Sequence, residues 1–173
     1  SQFMTHLSTS VYLALLLASP YILIELFRFI TPALYDNERK YSARITCTIF
    51  LLFITGVLMS YFVIFPFSIR FLGTYQVSED VVNMINLSSY ISTFTALTFM
   101  MGIVFQIPVI SFFLAKMGIL EAEFMAKYRR HALIIIMILA AIITPPDIFT
   151  LVLVTIPMYA LYELSILIVK RIN

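Results

Sequence analysis

The residues FITPALYDNERK, at positions 29–40, form a short charged segment between two long apolar runs. Of the 173 residues in the chain, 62% are hydrophobic and only 12% are charged, and the mean hydropathy is +1.02. Soluble domains carry about 25% charged residues, and a water-soluble core of this size could not bury so much apolar surface. We therefore expect an integral membrane protein in which segment 29–40 lies at the edge of the bilayer.

Five apolar runs are candidates for membrane-spanning helices, because a helix needs about 20 apolar residues to cross a bilayer. The runs are continuously apolar and lack the alternation that a β-barrel wall requires. The sequence therefore predicts an all-α, polytopic membrane protein with a single transmembrane helical domain over residues 1–173. The predicted spans are residues 7–27, 45–67, 90–114, 132–143 and 148–169.

The fourth run is unusually short. As a helix its 12 residues would reach about 18 Å, whereas the hydrocarbon core is about 30 Å thick. In one interpretation the bilayer is thinner here or other helices cover the shortfall. In the other, the flanking residues Tyr128, His131 and Thr144 extend the helix into the headgroup layer.

The positions of the basic residues predict the orientation of the spans. Ten of the eleven Lys and Arg residues fall on one predicted face, and Arg70 alone falls on the other. By the positive-inside rule the first face and the C-terminus are cytoplasmic, which places Ser1 on the outer face. A polar N-terminus without a signal peptide is hard to translocate alone. We therefore expect a further transmembrane helix before Ser1, the alternative being a genuine five-span protein.

Polar side chains inside a span are costly and are therefore candidate functional groups. Glu25 lies three residues before Arg28, and this spacing predicts an ion pair on one helix. Glu163 lies about 10 Å inside the end of the last span. It is either an internal polar lock, with Tyr159 and Ser165 as possible hydrogen-bond partners, or a contact for another protein.

Gln106 lies near the middle of the third span, two residues before Pro108. A proline in a helix causes a kink and leaves a backbone carbonyl without its donor. The Gln106 amide could bond to such a carbonyl locally, which we favour, or to another helix.

The connector between the third and fourth spans has a helical pattern of apolar residues. Leu120, Phe124 and Tyr128 recur every four positions and are flanked by charges. This pattern predicts a short amphipathic helix over residues 119–130 that lies on the membrane surface.

Nothing in the sequence indicates a catalytic site, a cofactor, a metal site or a nucleic-acid partner. The motifs of zinc proteases, serine hydrolases and nucleotide-binding loops are missing from the sequence. His6 and His131 are predicted at opposite faces and could not share a metal ion. Cys47 is the one cysteine, and we expect a small buried side chain there. An alternative function is secondary solute transport, although the glycine-rich broken helices typical of such transporters are lacking.

Four motifs resemble those of the twin-arginine translocase subunit TatC, and they occur in the order of that family. The resemblance implies six spans with both termini cytoplasmic, so that the five spans here lack the first. The motifs are FxxPALYxxER at 29–39, YFxxFP at 61–66, FQxPV at 105–109 with MGI at 117–119, and TPPDxF at 144–149 followed by IPMY at 156–159 and Glu163.

The resemblance also implies a function and a set of site residues. TatC-like proteins are receptors of the bacterial inner membrane that bind Arg-Arg signal peptides on folded cargo. They self-associate, assemble with the single-span subunits TatA and TatB, and are powered by the proton-motive force. The family's signal-peptide-binding positions fall on Glu38 and Phe29. Its partner-helix contacts fall on Gln106, Tyr159 and Glu163, and many members have Glu where this chain has the neutral amide of Gln106.

Overall fold

The computed structural model describes residues 2–30, 38–74, 87–144 and 147–172. Within these ranges the chain is almost entirely helical and contains no β-strand, so the predicted all-α, polytopic fold is confirmed. The elements, in chain order, are α1 (Gln2–Ile30), α2 (Glu38–Met59), a π-helical turn (Ser60–Ile64), α3 (Phe65–Thr74), α4 (Leu87–Val104), α5 (Ile107–Lys116), α6 (Ala122–Lys127), α7 (Arg129–Ile143) and α8 (Ile148–Ile172).

Four helical segments in the described ranges are long and apolar enough to cross a membrane. They are Gln2–Phe29, Ala43–Phe71, Ser89–Lys116 and Ile148–Ile172. The predicted fourth span falls in α7, which has 15 residues and begins at Arg129. The helix therefore includes His131 but ends before Thr144, and at about 22 Å it remains shorter than the hydrocarbon core. The five predicted span boundaries and the single domain stay predictions.

The second long helix contains an irregular turn. The backbone N–H of Phe65 donates to the Ser60 carbonyl, five residues earlier, which is the π-helical pattern. The turn ends at Ile64, two residues before Pro66, which has no N–H and cannot sit in a regular helix without distortion. The wider turn directs Ser60 and Ile64 into the bundle, where both are fully buried. The Ser60 hydroxyl is 3.1 Å from that of Thr98, which joins this turn to α4.

Helices α2 and α4 approach closely at two glycines. A Cβ atom at Gly56 would lie only 2.6 Å from the Met101 carbonyl oxygen, and one at Gly102 would meet the Phe53 ring. Small residues at helix crossings let backbones pack together inside a membrane. The contact between α2 and α4 therefore depends on the absence of a side chain at these positions.

The third predicted span is broken, as its proline suggested. Helix α4 ends at Val104, two turn residues follow, and α5 begins with Pro108 in its first turn. Proline is well tolerated there, because the first N–H groups of a helix have no partner within the helix. After the break α5 packs against α8, whereas α4 packs against α2.

Apolar side chains fill the bundle in three connected regions of the described chain. The largest lies between α3, α4, α7 and α8 around Met101 and Met158, which are both fully buried. A second joins α1, α2 and α5, where the rings of Phe27 and Phe113 stack at a centroid distance of 5.3 Å. The third holds Met125 of α6 against α8.

One expectation about local structure is confirmed in part and another is wrong. A short helix is present within residues 119–130, but it has only the six residues of α6. Phe124 and Tyr128 of the apolar stripe are exposed on the bundle while Met125 is buried, and the position of the stripe on the membrane surface stays a prediction. The Tyr162 hydroxyl of α8 donates to the Met125 carbonyl at 2.7 Å, so tertiary contacts decide which face of α6 turns inward. Cys47 is exposed instead of buried. Ile49 and Phe53 occupy the inward face of α2, and a residue two positions before Ile49 points the other way.

Candidate functional site

Apart from Arg70, the basic residues of the described chain lie at one end of the bundle. Helices α1, α5 and α8 all finish there with a basic residue in the last turn, and α7 begins there. Packing of Phe27 against Ile49 and Phe113 places the end of α1 beside the first turns of α2. We call this the basic end; it comprises Arg28, Arg44, Lys116, Arg129, Arg130, Lys170 and Arg171.

The predicted signal-peptide residues lie at the basic end. Phe29 is in the last turn of α1, with 86% of its surface exposed. Glu38 is the first residue of α2. The Glu38 side chain and segment 31–37 lie outside the described residues, so the binding role of this pair stays a prediction.

The predicted ion pair on α1 is confirmed. The Arg28 guanidinium donates to the Glu25 carboxylate at 3.2 Å, and both side chains are exposed. Glu25 therefore has an ion-pair partner on its own helix, which explains why an ionisable residue is tolerated in this span.

Gln106 is almost completely buried, with 1% of its surface exposed. Its side-chain amide nitrogen donates to the Gly102 carbonyl at 3.2 Å and to the Ile49 carbonyl at 3.3 Å. The backbone N–H of Gln106 donates to the Ile103 carbonyl instead of to the Gly102 carbonyl four residues earlier. The Gln106 side chain therefore supplies a donor to the Gly102 carbonyl in its place. Both alternatives for Gln106 are therefore realised: a local bond across the break and a bond to another helix.

The carbonyl oxygen of the same side chain has no hydrogen-bond partner among the described residues. A buried acceptor without a donor is costly. Because Gln106 is 1% exposed, a partner helix could reach this atom only after the helices that cover it had moved. The role of Gln106 in partner contact stays a prediction.

Glu163 forms a two-point ion pair with Arg129. The Arg129 Nε atom lies 2.9 Å from one carboxylate oxygen and the Nη2 atom lies 3.3 Å from the other. The parallel arrangement matches a guanidinium to a carboxylate. The pair fastens the start of α7 to α8, which supports the interpretation of Glu163 as a polar lock. Ser165 instead donates to the Leu161 carbonyl on its own helix.

Tyr159 lies one helical turn before Glu163 on α8. Its ring stacks against Tyr162 at a centroid distance of 6.2 Å. The structure therefore brings two of the three predicted partner-contact residues together on α8. Gln106 belongs to a different group of bonds, between α2 and α4.

Two features of the site are not predicted by the sequence patterns above. Those patterns count Arg129 only among the basic residues of one face. Its predicted position at the same membrane face as Glu163 is a signal that could have indicated their ion pair. Asp147 caps α8: its carboxylate accepts from the Thr150 N–H at 3.1 Å and from the Thr150 hydroxyl at 2.9 Å. The Thr150 hydroxyl lies 3.3 Å from that of Ser68, which links the cap to α3. An Asp just before a helix is a known capping signal.

Similarity to known proteins identifies the family of this chain. A family model described as "Sec-independent protein translocase protein (TatC)" matches residues 1–157. The chain belongs to the TatC family. It is therefore a multi-pass membrane protein from a family of twin-arginine translocase subunits, as its four motifs predicted.

Individual TatC proteins are similar along nearly the whole chain. TatC of Blattabacterium sp. subsp. Periplaneta americana is 43% identical over 165 residues, which cover 95% of this chain and 62% of that protein. TatCy of Bacillus subtilis is 38% identical over 158 residues, covering 91% and 62%. The chain thus spans about three-fifths of the length of these curated relatives. They are named as protein translocase components, which favours protein transport over the alternative of solute transport.

Two crystal structures of a twin-arginine translocase receptor TatC have the same TatC fold. Both are 32% identical to this chain, with TM-scores of 0.82 and 0.85. The matches cover 95% of this chain and 73% of the solved chain in the first case, and 99% and 75% in the second.

Proposed function

We propose that this chain is part of the receptor and core subunit of a twin-arginine protein translocase, which binds Arg-Arg signal peptides of folded cargo. The observation that carries the proposal is the match to the TatC family over residues 1–157, which include every residue of the motif at 29–39. The relative with solved crystal structures is described as a translocase receptor. The proposed location is the bacterial inner membrane.

The proposed binding site lies at the basic end, between the end of α1 and the start of α2. A carboxylate at Glu38 would accept two parallel hydrogen bonds from a signal-peptide guanidinium, a geometry that a lysine ammonium cannot reproduce. Phe29, exposed in the last turn of α1, offers an apolar contact beside it. Two arginines need more than one carboxylate, so we expect part of the site to come from outside this chain.

The proposed orientation puts the basic end in the cytoplasm, where unexported cargo is found. Excess Lys and Arg in short loops favours retention on the cytoplasmic side, and ten of the eleven basic residues lie in the segments assigned to that side. The C-terminus is then cytoplasmic and Ser1 lies on the outer face.

Assembly with TatA- and TatB-type subunits is proposed to use α8 and its surroundings. Leu167 is an exposed apolar residue of α8 one turn after Glu163, so a single-span helix could pack there. Contact with Gln106 would require movement of the helices that bury it. The sequence contains no nucleotide-binding loop, in accord with transport driven by the proton-motive force.

The test is binding of two synthetic signal peptides, one with Arg-Arg and one with Lys-Lys, to the full-length protein in membranes. We expect preference for Arg-Arg, and we expect Glu38→Ala to reduce Arg-Arg affinity by at least about tenfold, since one charge-assisted hydrogen bond contributes about 1.5 kcal/mol or more. Glu123→Ala is the matched control, because Glu123 is an exposed carboxylate of α6. Equal binding of both peptides to all three proteins would refute the site.

A further inference from the structure

A cavity of about 450 Å³ opens between α2, α5 and α8 near the basic end. It arises where the chain breaks after α4, because α4 stays against α2 while α5 packs on α8. Apart from Arg44 and Thr48, all of its lining residues are apolar, with Pro108, Phe112 and Ile168 among them. The three helices are membrane-spanning segments or parts of them, so the cavity faces an environment of lipid.

Basic groups stand at the mouth of this cavity. Arg44 lines it, is exposed and makes no salt bridge within the described part of the chain. The ammonium of Lys116 lies 5.9 Å from the ring centroid of Phe112, which forms part of the wall. A guanidinium offers several donors that match phosphate oxygens, and basic pockets between transmembrane helices on the cytoplasmic side are suited to lipid headgroups.

We propose that this cavity binds one anionic phospholipid, with an acyl chain between α2, α5 and α8 and the headgroup phosphate on Arg44. The chemistry of the lining favours a lipid over an apolar protein helix, because an apolar wall beside the exposed Arg44 guanidinium matches an acyl chain joined to a phosphate headgroup. The proposal is independent of signal-peptide binding and goes beyond the proposed function.

The test is native mass spectrometry of the delipidated full-length protein, titrated with phosphatidylglycerol or phosphatidylcholine of identical acyl chains. We expect the anionic lipid to bind about fivefold more tightly, the contribution of one basic residue near an anionic lipid, because the choline cation of phosphatidylcholine offsets the charge of its phosphate. Arg44→Gln should abolish this difference. Arg130→Gln, which removes an exposed charge of the basic end outside the cavity lining, should retain it.

Two variants that fill the cavity test the place of the acyl chain. Thr48→Phe on α2 and Leu164→Trp on α8 enter the cavity from opposite walls, and both positions are exposed, so at least one should fold. Either should weaken both lipids. Glycerol 3-phosphate, which has the phosphate but no acyl chain, should not compete.

Equal affinity of the wild type for the two lipids, or unchanged lipid binding in the folded cavity variants, would overturn the proposal. A dimer that lipid does not disperse and that Thr48→Phe abolishes would also overturn it, because the occupant would then be a second copy of the chain.

Discussion

Arg129 and Glu163 form the bond that fastens the start of α7 to α8. Their side chains are 48% and 36% exposed, so solvent screens the charges and the pair should be far weaker than a buried one. The two-point geometry makes it stronger than an ordinary surface pair. We expect a coupling free energy of about 1 kcal/mol from the double-mutant cycle of Arg129→Gln and Glu163→Gln. The measurement is denaturant unfolding in detergent micelles.

The Glu25–Arg28 pair is the matched control for that cycle. It has one contact at 3.2 Å on a single exposed helix, and its coupling should be only about 0.3–0.5 kcal/mol. Strictly additive effects of Arg129→Gln and Glu163→Gln would show that the two-point geometry contributes nothing to stability.

The two ion pairs also show which contacts a sequence can predict. Glu25 and Arg28 share a helix, so spacing alone identified their contact. Arg129 and Glu163 are 34 residues apart, and their contact depends on how α7 packs against α8. Gln106 is an intermediate case. Pro108 indicated a nearby backbone carbonyl that its side chain could bond, but nothing in the sequence indicated the second bond, to the Ile49 carbonyl.

At the scale of the elements, the crossing of α2 and α4 depends on Gly56. A Cβ at this position would lie 2.6 Å from the Met101 carbonyl oxygen, which is backbone and cannot swing away. Gly56→Ala should therefore push the helices apart and destabilise the protein by about 1–3 kcal/mol. We expect a lower midpoint of thermal unfolding in detergent.

Thr55→Ala is the control for the glycine variant, because Thr55 is exposed on the same helix and bonds only to the Leu51 carbonyl within the described chain. Its unfolding midpoint should stay close to that of the wild type, since a surface change away from such features costs within about 0.5 kcal/mol. Equal midpoints for both variants would mean that α2 and α4 can separate freely.

The helices were easier to predict than their irregularities. Long apolar runs identified the four long segments because hydrocarbon demands about 20 apolar residues. Prolines indicated where helices deform, and Pro108 does lie beside a break. The π-helical turn before Pro66 bonds to Thr98, and α6 bonds to Tyr162 of α8. Local sequence does not reveal contacts between such distant residues, so it did not predict this turn or the six-residue length of α6.

At the scale of the whole molecule, positive charge is concentrated at one end of the helical bundle. Basic residues lie at several helix ends of the basic end, whereas Arg70 is the one Lys or Arg of the described residues at the opposite end. Contacts there include the Asp147 cap and the stacking of Phe71 on Phe149 at 4.5 Å. Sequence motifs predicted membership in the TatC family, but the cavity beside Arg44 required the packing of three helices.

The same uneven distribution of charge predicts the orientation of the protein in the membrane, which can be tested with single cysteines in the full-length protein. Cys47 is exposed on the surface of the bundle, and the starting protein is Cys47→Ser so that labelling reports on the introduced cysteine alone. Because the basic end should remain in the cytoplasm, Ser1→Cys should react with a membrane-impermeant maleimide in intact spheroplasts, whereas Asn173→Cys should react only after lysis. The starting protein should stay unlabelled in both conditions. Labelling of Ser1→Cys only after lysis would reverse the inferred topology and remove the cytoplasmic placement on which the proposed receptor site depends.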